Sequence, residues 1–287
     1  MNLEAFLTQT LVGLYTGSFY WLLTLGLTLI FGVTRIVNFA HASFFVLGSY
    51  LMYTFYIYTN NFILSLFVAT ITTGLIGVIF EITLIRRVYK IEEMYQLLLT
   101  LGIALTLNES QKLIWGTTPK YINMPELISS GVSIGYTNIS YYSIAVISIG
   151  LILFIIIHIV INKTLWGLKI RAVWRDNIMA QALKINPYLI YTTVFFIGIA
   201  LAGFGGALMI ILHPVGPGVG DHLIIYAFII VVIASLGNIT GAYIISLLIG
   251  VISSLATWLA PEIDIVIIYL ITVIILLLRP GGLFGER

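Results

Sequence analysis

Ionisable side chains that could do chemistry are rare in this chain, because only 8% of its 287 residues are charged. Within the long apolar runs lie Glu81 and Glu109, the latter followed by Lys112 three residues on. A charge at the centre of a membrane costs about 2.5–3.5 kcal/mol, so each such residue needs a partner or a role. Glu81 lies near the inner end of its span, so we expect its side chain either to extend to the membrane surface or to pair with a basic neighbour. Glu109 either pairs with Lys112 on one helix face or couples transport to an ion from a shallow position.

Two polar groups interrupt the apolar runs, at Asn38–Ser43 (NFAHAS) and at Ser235–Gly241 (SLGNITG). Non-helical backbone at membrane depth is tolerated only beside protein or a water-filled cavity. Interrupted helices at corresponding positions indicate a permeation pathway. The alternative is two ordinary loops on the same side of the membrane. The candidate residues of a translocation path are Asn38, His41, Ser43, Gly237 and Asn238.

The longest polar run covers residues 162–187 and holds five of the thirteen lysines and arginines. We interpret Ala172–Ile185 as a short, exposed amphipathic helix that Asn186 and Pro187 end, since proline disfavours helix in the residue before it. Such a helix could dock a cytoplasmic partner. The alternative is a basic loop that only orients the protein.

Composition places the chain in the membrane. Sixty per cent of the residues are apolar, and a soluble protein carries about a quarter charged residues. There is no cysteine, and therefore no disulfide or thiolate metal site. The phosphate loop GxxxxGK[ST] is absent, as are the HExxH and GxSxG motifs of enzymes. If transport requires an energy source, we expect another subunit to supply that energy.

The elements that position these residues are apolar segments, each of roughly 20 residues per crossing. We place them at about 8–33, 39–58, 62–85, 94–115, 139–161, 188–212, 221–236, 241–259 and 263–279. The sequence thus predicts an all-α, polytopic transmembrane helical bundle of about eight to nine spans. It has a short cytoplasmic helix that could dock a partner, and residues 1–287 form a single domain.

Orientation follows from the basic residues, since cytoplasmic loops carry an excess of lysine and arginine. Eleven of the thirteen fall on one side if the C-terminus is cytoplasmic, which leaves Lys112 and Lys120 on the other. The first span then acts as its own insertion signal, and we predict no cleavable signal peptide.

Small residues at a spacing of four predict where helices pack closely. The sets are Gly13 and Gly17; Gly198, Ala202 and Gly206; and Ser246, Gly250 and Ser254. Small side chains let backbones approach in lipid. Because such spacings are common in membrane helices, they indicate packing faces and not a substrate site.

Several stretches together resemble one family. They are residues 11–50, which contain GLTLIFG and NFAH, residues 97–109 (LLLTLGIALTLNE), 166–186 (WGLKIRAVWRDNIMAQALKIN), 234–250 (ASLGNITGAYIISLLIG) and 279–285 (RPGGLFG). In this order they resemble the LivH-type permease of high-affinity branched-chain amino-acid ABC importers over nearly the whole chain. The chain departs from the family's NFAHGEF at Ala42 and Ser43, and it has Lys184 where a glycine is usual. These departures bear on which substrate is carried, and they leave the class of transporter unchanged.

The resemblance implies a non-catalytic transporter subunit that needs no cofactor and no metal of its own. Its implied partners are two ABC ATP-binding subunits, a second LivM-like permease, an extracytoplasmic substrate-binding protein and membrane lipid, without nucleic acid. The implied location is the inner or plasma membrane of a bacterium or archaeon, with several passes. The coupling role falls on Gly167, Arg171, Ala172, Trp174, Arg175, Asp176 and Ala180.

The sequence leaves alternative functions open. Related permeases carry urea or short amides, and permease residues say little about cargo because the binding protein does much of the selection. A stand-alone secondary transporter without an ATPase would need an ion-coupling acid, for which Glu109 is the candidate. An intramembrane enzyme would need a catalytic constellation, and the sequence offers none.

Overall fold

We describe a computed structural model of the chain, which covers residues 3–123, 130–134 and 137–285. These residues form eleven α-helices, numbered here in chain order: α1 (Leu3–Thr34), α2 (His41–Thr59), α3 (Phe62–Thr83), α4 (Glu93–Trp115), α5 (Tyr141–Lys163), α6 (Leu165–Arg175), α7 (Asn177–Ala182), α8 (Pro187–Met209), α9 (Val219–Ile233), α10 (Ile239–Leu259) and α11 (Asp264–Leu278). A short 3₁₀ helix follows α3 at Ile85–Val88. The prediction of a helical bundle is confirmed.

Every predicted apolar segment coincides with one helix to within a few residues. Among the described residues, α1, α3, α5, α8 and α10 are long and apolar enough to cross a membrane. Helices α9 and α11 are apolar but have only 15 residues each. The larger number of about eight to nine crossings therefore stays a prediction.

A two-stranded hairpin, which the sequence did not predict, precedes α5. Strand β1 (Gly131–Ile134) pairs antiparallel with β2 (Thr137–Ser140), and Gly131 lies opposite Ser140. A separate bridge joins Lys120 to Val215 by two backbone hydrogen bonds of 2.8 and 2.9 Å. This bridge holds the segment after α4 against the α8–α9 linker.

Polar side chains fix where several helices begin. Asn61 accepts a hydrogen bond from the Leu64 amide at the start of α3, and Ser140 accepts one from the Ser143 amide at the start of α5. Asn186 caps α8, whose first residue is Pro187. Proline suits this position because its missing amide would have no partner there. These caps explain boundaries that hydropathy alone does not set.

Helix α1 lies at the centre of the bundle and packs closely on α10 and α8. A Cβ on Gly17 would come within 2.7 Å of the Ser246 carbonyl oxygen of α10, and one on Gly13 within 2.5 Å of the Val251 Cα. The Thr24 and Ser246 hydroxyls are hydrogen-bonded at 3.1 Å in the same contact. The predicted small-residue faces are therefore confirmed as places where backbones touch.

The polar break after α1 is buried within the bundle. Residues 35–40 are not helical, and α2 then begins at His41, whose ring nitrogen Nε2 lies 3.0 Å from the Leu23 carbonyl oxygen. Leu23 is in the second half of α1, well before its end at Thr34. The chain therefore turns back against the second half of α1 before α2 starts.

Glu81 is fully buried near the end of α3 and is neutralised there. Its carboxylate accepts hydrogen bonds from Arg86 at 3.0 and 3.1 Å, from the Tyr89 hydroxyl at 2.9 Å and from the Thr192 hydroxyl at 2.8 Å. Burial and the nearby Glu81 charge raise the pKa of Tyr89, so this tyrosine stays a donor. The network joins α3 to α8. Of the two outcomes expected for Glu81, pairing with a basic neighbour is confirmed.

Candidate functional site

The segment 165–182 is two helices and not the single helix that we predicted over Ala172–Ile185. Helix α6 ends at Arg175 and α7 begins at Asn177. Asp176 between them has φ −152° and ψ 104°, outside the helical region, and its carboxylate accepts hydrogen bonds from the Ile178 and Met179 amides at 2.9 and 3.0 Å. Aspartate is a strong helix N-cap, so it starts a new helix where the predicted one would have continued. The prediction of one continuous helix over Ala172–Ile185 is therefore wrong.

Several residues predicted for coupling are packed inside the protein. Gly167 is buried, and a Cβ there would overlap the Ile161 carbonyl oxygen. Ala180 is 1% exposed in the core, and Ala172 is half-buried. These small residues set how closely α6 and α7 lie against the bundle. They cannot themselves form much of an outer contact surface.

Trp174, Arg175 and Asp176 are exposed at the junction of α6 and α7. The Trp174 side chain keeps 50% of its surface open. Arg171, one turn earlier, is half-buried, and its Nη1 donates a hydrogen bond to the Ile161 carbonyl oxygen of α5. Arg171 therefore bonds inward to the end of α5 and is less open to a partner than the three residues of the junction.

Sequence reasoning missed all but one of the most exposed apolar residues of this segment; Ile178 was on the apolar side of the predicted helix. We call these residues the α6–α7 surface: Leu165, Leu168, Ile178, Met179 and Leu183, which are 55–82% exposed. Leu165 and Leu168 were missed because the predicted helix began only at Ala172. Met179 and Leu183 were missed because they do not fall on the apolar side of one continuous helix.

A pocket of about 610 Å³ opens beside α6. It is lined by α1 at Thr28 and Gly32 and by α5 at His158 and Asn162. The other lining residues come from α6 at Arg171 and Trp174, from the α9–α10 turn and from the C-terminal segment at Phe284. The ends of α1, α5 and α9 thus meet the cationic segment at one end of the bundle, which we call the cationic end.

Gly237 and Asn238 lie in the turn that borders this pocket. Gly237 has φ +88°, a conformation that favours glycine, and a Cβ there would come within 3.1 Å of the Gly32 Cα. Asn238 caps α10 by accepting a hydrogen bond from the Gly241 amide at 2.8 Å. Two of the predicted path residues are therefore brought next to Arg171 and Trp174, a proximity that the sequence did not predict.

Asn38, His41 and Ser43 do not line this pocket. All three are buried, at 0%, 0% and 3% exposure. The Asn38 Nδ2 and His41 Nδ1 atoms have no hydrogen-bond partner in the described part of the chain. The Gln111 side chain of α4 donates to the Ser43 carbonyl oxygen at 2.9 Å. The predicted path residues thus fall into two groups, one in the interior break and one at the cationic end.

Glu109, the candidate for ion coupling, lies on the surface. Its carboxylate is 2.5 Å from the Lys112 ammonium, and its side chain is 65% exposed. The pairing expected from the sequence is confirmed. Glu81 is the one carboxylate in the buried part of the described chain, and Arg86 already pairs with it.

Comparison with known proteins identifies relatives over almost the entire chain. The family model for the permease component of branched-chain amino acid transport systems matches residues 9–276. The permease protein BraD of the high-affinity branched-chain amino acid transport system of Pseudomonas aeruginosa is 27% identical over 98% of this chain and 96% of its own length. LivH of Escherichia coli K12, with the same description, is 25% identical over the same shares.

A third relative is somewhat more similar in sequence. The probable branched-chain amino acid transport permease protein LivH of Methanocaldococcus jannaschii is 30% identical over 83% of this chain and 76% of its own length. No solved structure shows significant similarity to the chain. The likeness to these permeases therefore rests on sequence.

Proposed function

The chain belongs to the permease family of branched-chain amino acid transport systems, and from this premise we propose that it is the membrane permease subunit of an ATP-driven ABC importer. Its cargo is a branched-chain or related small amino acid. Two ATP-binding subunits, a second related permease and an extracytoplasmic binding protein complete the importer. The family is one of transport subunits that are not themselves catalytic, and the energy comes from the ATP-binding partners.

The observation that carries this proposal is the α6–α7 surface. Ile178 is 82% exposed and Leu165 80%, although both lie in the most cationic segment of the chain. Such side chains gain stability from a groove that covers them, with charged contacts at its rim. We assign them, with Trp174 and Arg175, to docking on an ATP-binding subunit. Gly167, Ala172 and Ala180 hold the two helices in place for that contact.

Movement at the α6–α7 surface can reach the bundle through Arg171 and the pocket behind it. Arg171 bonds to the end of α5, and the same pocket is bordered by the α9–α10 turn with Gly237 and Asn238. In our proposal this turn shifts when the ATP-binding subunit moves α6. The interior break at Asn38, His41 and Ser43 forms the wall of the translocation path, where unpaired polar atoms can bind water or cargo.

Topology follows the same proposal. Residues 1–287 form one permease domain with nine crossings, and the coupling loop 162–187 and the C-terminus lie in the cytoplasm of a bacterial or archaeal cell. Arg171 and the chain's end near Phe284 share one pocket, which supports placing both on one side. The excess of cationic residues there fits the cytoplasmic side.

Co-purification tests the importer assembly directly. The tagged chain is extracted from its native cells in mild detergent, and the proteins that accompany it are identified by mass spectrometry. We expect two ATP-binding proteins and a second permease. Recovery of the chain alone, or only with itself, would refute the proposal. The alternative, a secondary transporter that works without an ATPase, would then be tested by substituting Glu109. The exposed ion pair of Glu109 with Lys112 argues against an ion-coupling role.

The docking role is tested with Trp174→Ala combined with Arg175→Ala, and separately with Ile178→Ser. Both variants should lose ATP-dependent uptake of labelled leucine and fail to retain the ATP-binding subunits, while the protein still inserts and folds. Tyr121→Ser is the matched control, because Tyr121 is 61% exposed and lies outside the α6–α7 surface. Unimpaired uptake in both docking variants would remove the coupling role.

A further inference from the structure

The pocket at the cationic end is lined by groups that suit an anion. Arg171 and His158 supply nitrogen donors, and Asn162, Asn238 and Thr240 supply amide and hydroxyl groups. Among its described lining residues there is no carboxylate. Its volume of about 610 Å³ falls within the roughly 300–1,000 Å³ of small-molecule sites.

The Thr28 hydroxyl is a second, independent observation. Thr28 is 1% exposed, it is one of the residues that line the pocket, and its Oγ1 has no hydrogen-bond partner in the described residues. Buried polar groups are nearly always paired, because leaving one unpaired costs stability. An unpaired hydroxyl in the lining of a pocket that also contains Arg171 is therefore explained by a ligand that accepts hydrogen bonds from both.

The surroundings of the pocket are those of a membrane surface. His158 is exposed on α5, and its neighbours Ile155 and Ile159 are 47% and 49% exposed. Trp174, half-exposed at the rim, is of a residue type enriched where bilayer and water meet. The segment 162–187 adds five cationic residues and the single acid Asp176. A ligand here can keep acyl chains along α5 while its head group enters the pocket.

We propose that this pocket binds the phosphate of an anionic phospholipid head group. Arg171 and His158 hold the phosphate oxygens, and the Thr28 hydroxyl donates to one of them. Basic pockets between membrane helices on the cytoplasmic side are suited to such head groups. The site goes beyond the proposed transport function, since lipid binding is a property of this chain by itself.

The experiment uses the full-length chain purified in a neutral detergent. Native mass spectrometry measures the affinity for phosphatidylglycerol, and the midpoint of thermal unfolding is followed in parallel. Separate arms use phosphatidylcholine, inorganic phosphate and free leucine. We expect phosphatidylglycerol to bind and to raise the midpoint, with weak or no effect from the other three.

Three variants locate the binding. Arg171→Gln should weaken phosphatidylglycerol binding by about tenfold, as expected when one charged hydrogen bond is lost. Lys169→Gln removes the same charge from the same helix but at an exposed residue outside the pocket, and should retain the affinity. Thr28→Val should also weaken binding while it leaves the lipid-free protein at least as stable. It therefore tests the site even if Arg171→Gln does not fold.

The proposal is overturned by any of three results. Equal losses in Arg171→Gln and Lys169→Gln would indicate diffuse attraction and not a site. Equal effects of inorganic phosphate would assign the pocket to a soluble anion. Stabilisation by leucine in place of lipid would make it a binding site for the cargo.

Discussion

The Asn238 side-chain amide donates a hydrogen bond to the Phe284 carbonyl oxygen over 3.2 Å, although 46 residues separate the two in sequence. The Leu283 amide donates to the Ile233 carbonyl oxygen at 2.7 Å in the same contact. The chain's end thus satisfies a carbonyl group at the end of α9 and holds the turn that leads into α10. That turn borders the pocket beside Arg171, so the last residues help to shape the cationic end.

Asn238 makes two separable contributions, which a pair of substitutions can distinguish. Asn238→Asp retains the oxygen that caps α10 but removes the donor to Phe284, whereas Asn238→Ala removes both. We expect Asn238→Ala to lower the free energy of unfolding by about 1 kcal/mol more than Asn238→Asp, the usual loss for a helix cap. Thermal unfolding of the purified protein measures the difference. Equal destabilisation would show that the cap contributes nothing.

Glu81 and Glu109 form a matched pair of carboxylates, one buried and one exposed. Glu81→Gln should destabilise the protein by about 3 kcal/mol, because breaking a buried ion pair leaves polar groups without their partner. Glu109→Gln should change stability by less than about 0.5 kcal/mol, since exposed pairs are screened by water. Both are measured by thermal unfolding. A small loss in Glu81→Gln would mean that Arg86, which is 32% exposed, is adequately solvated alone.

Hydropathy predicted the helices because each one must present an apolar surface to lipid or to its neighbours. Small residues such as Gly17 and Gly250 predicted that α1 and α10 each carry a packing face, because close backbone approach in lipid requires small side chains. They did not predict that these two faces meet. The pairing of Glu81 was one of the two outcomes that followed from the cost of a buried charge. These features depend on local composition and on the solvent, so they can be derived from the sequence alone.

Other features depend on contacts between distant parts of the chain. The depth of the break before His41 is set by α1 and α4, which meet it only in the folded protein. The pocket needs the chain's end at Phe284 beside α1, and no local pattern predicts that pairing. The break at Asp176 was readable in principle, because aspartate caps helices. The amphipathic pattern around it favoured one continuous helix and concealed the cap.

Two glycines, Gly17 on α1 and Gly102 on α4, give a second matched pair of substitutions, one in a close contact and one in open space. Gly17→Ala should destabilise the protein, because the new Cβ would lie 2.7 Å from the Ser246 carbonyl oxygen and would push α1 and α10 apart. We expect a loss of about 1–3 kcal/mol, as for other overpacked cores. Gly102→Ala on α4 meets nothing within 4 Å, and should be neutral or stabilising because alanine favours helix. Thermal unfolding tests both, and destabilisation of Gly102→Ala would contradict the open surroundings of this glycine.

Asp176 offers the sharpest test of how the α6–α7 surface is built. Asp176→Ala removes the cap on α7, and should fray that helix at a cost of about 1 kcal/mol. Because Ile178 and Met179 lie in its first turn, we expect a clear drop in leucine uptake and in retention of the ATP-binding subunits, with normal amounts of protein in the membrane. Asp176→Asn retains an oxygen that can cap the helix and loses only the charge, so its uptake should stay close to that of the unmodified protein. If Asp176→Asn is as defective as Asp176→Ala, the carboxylate charge contacts the partner directly, and the cap is not what the coupling needs.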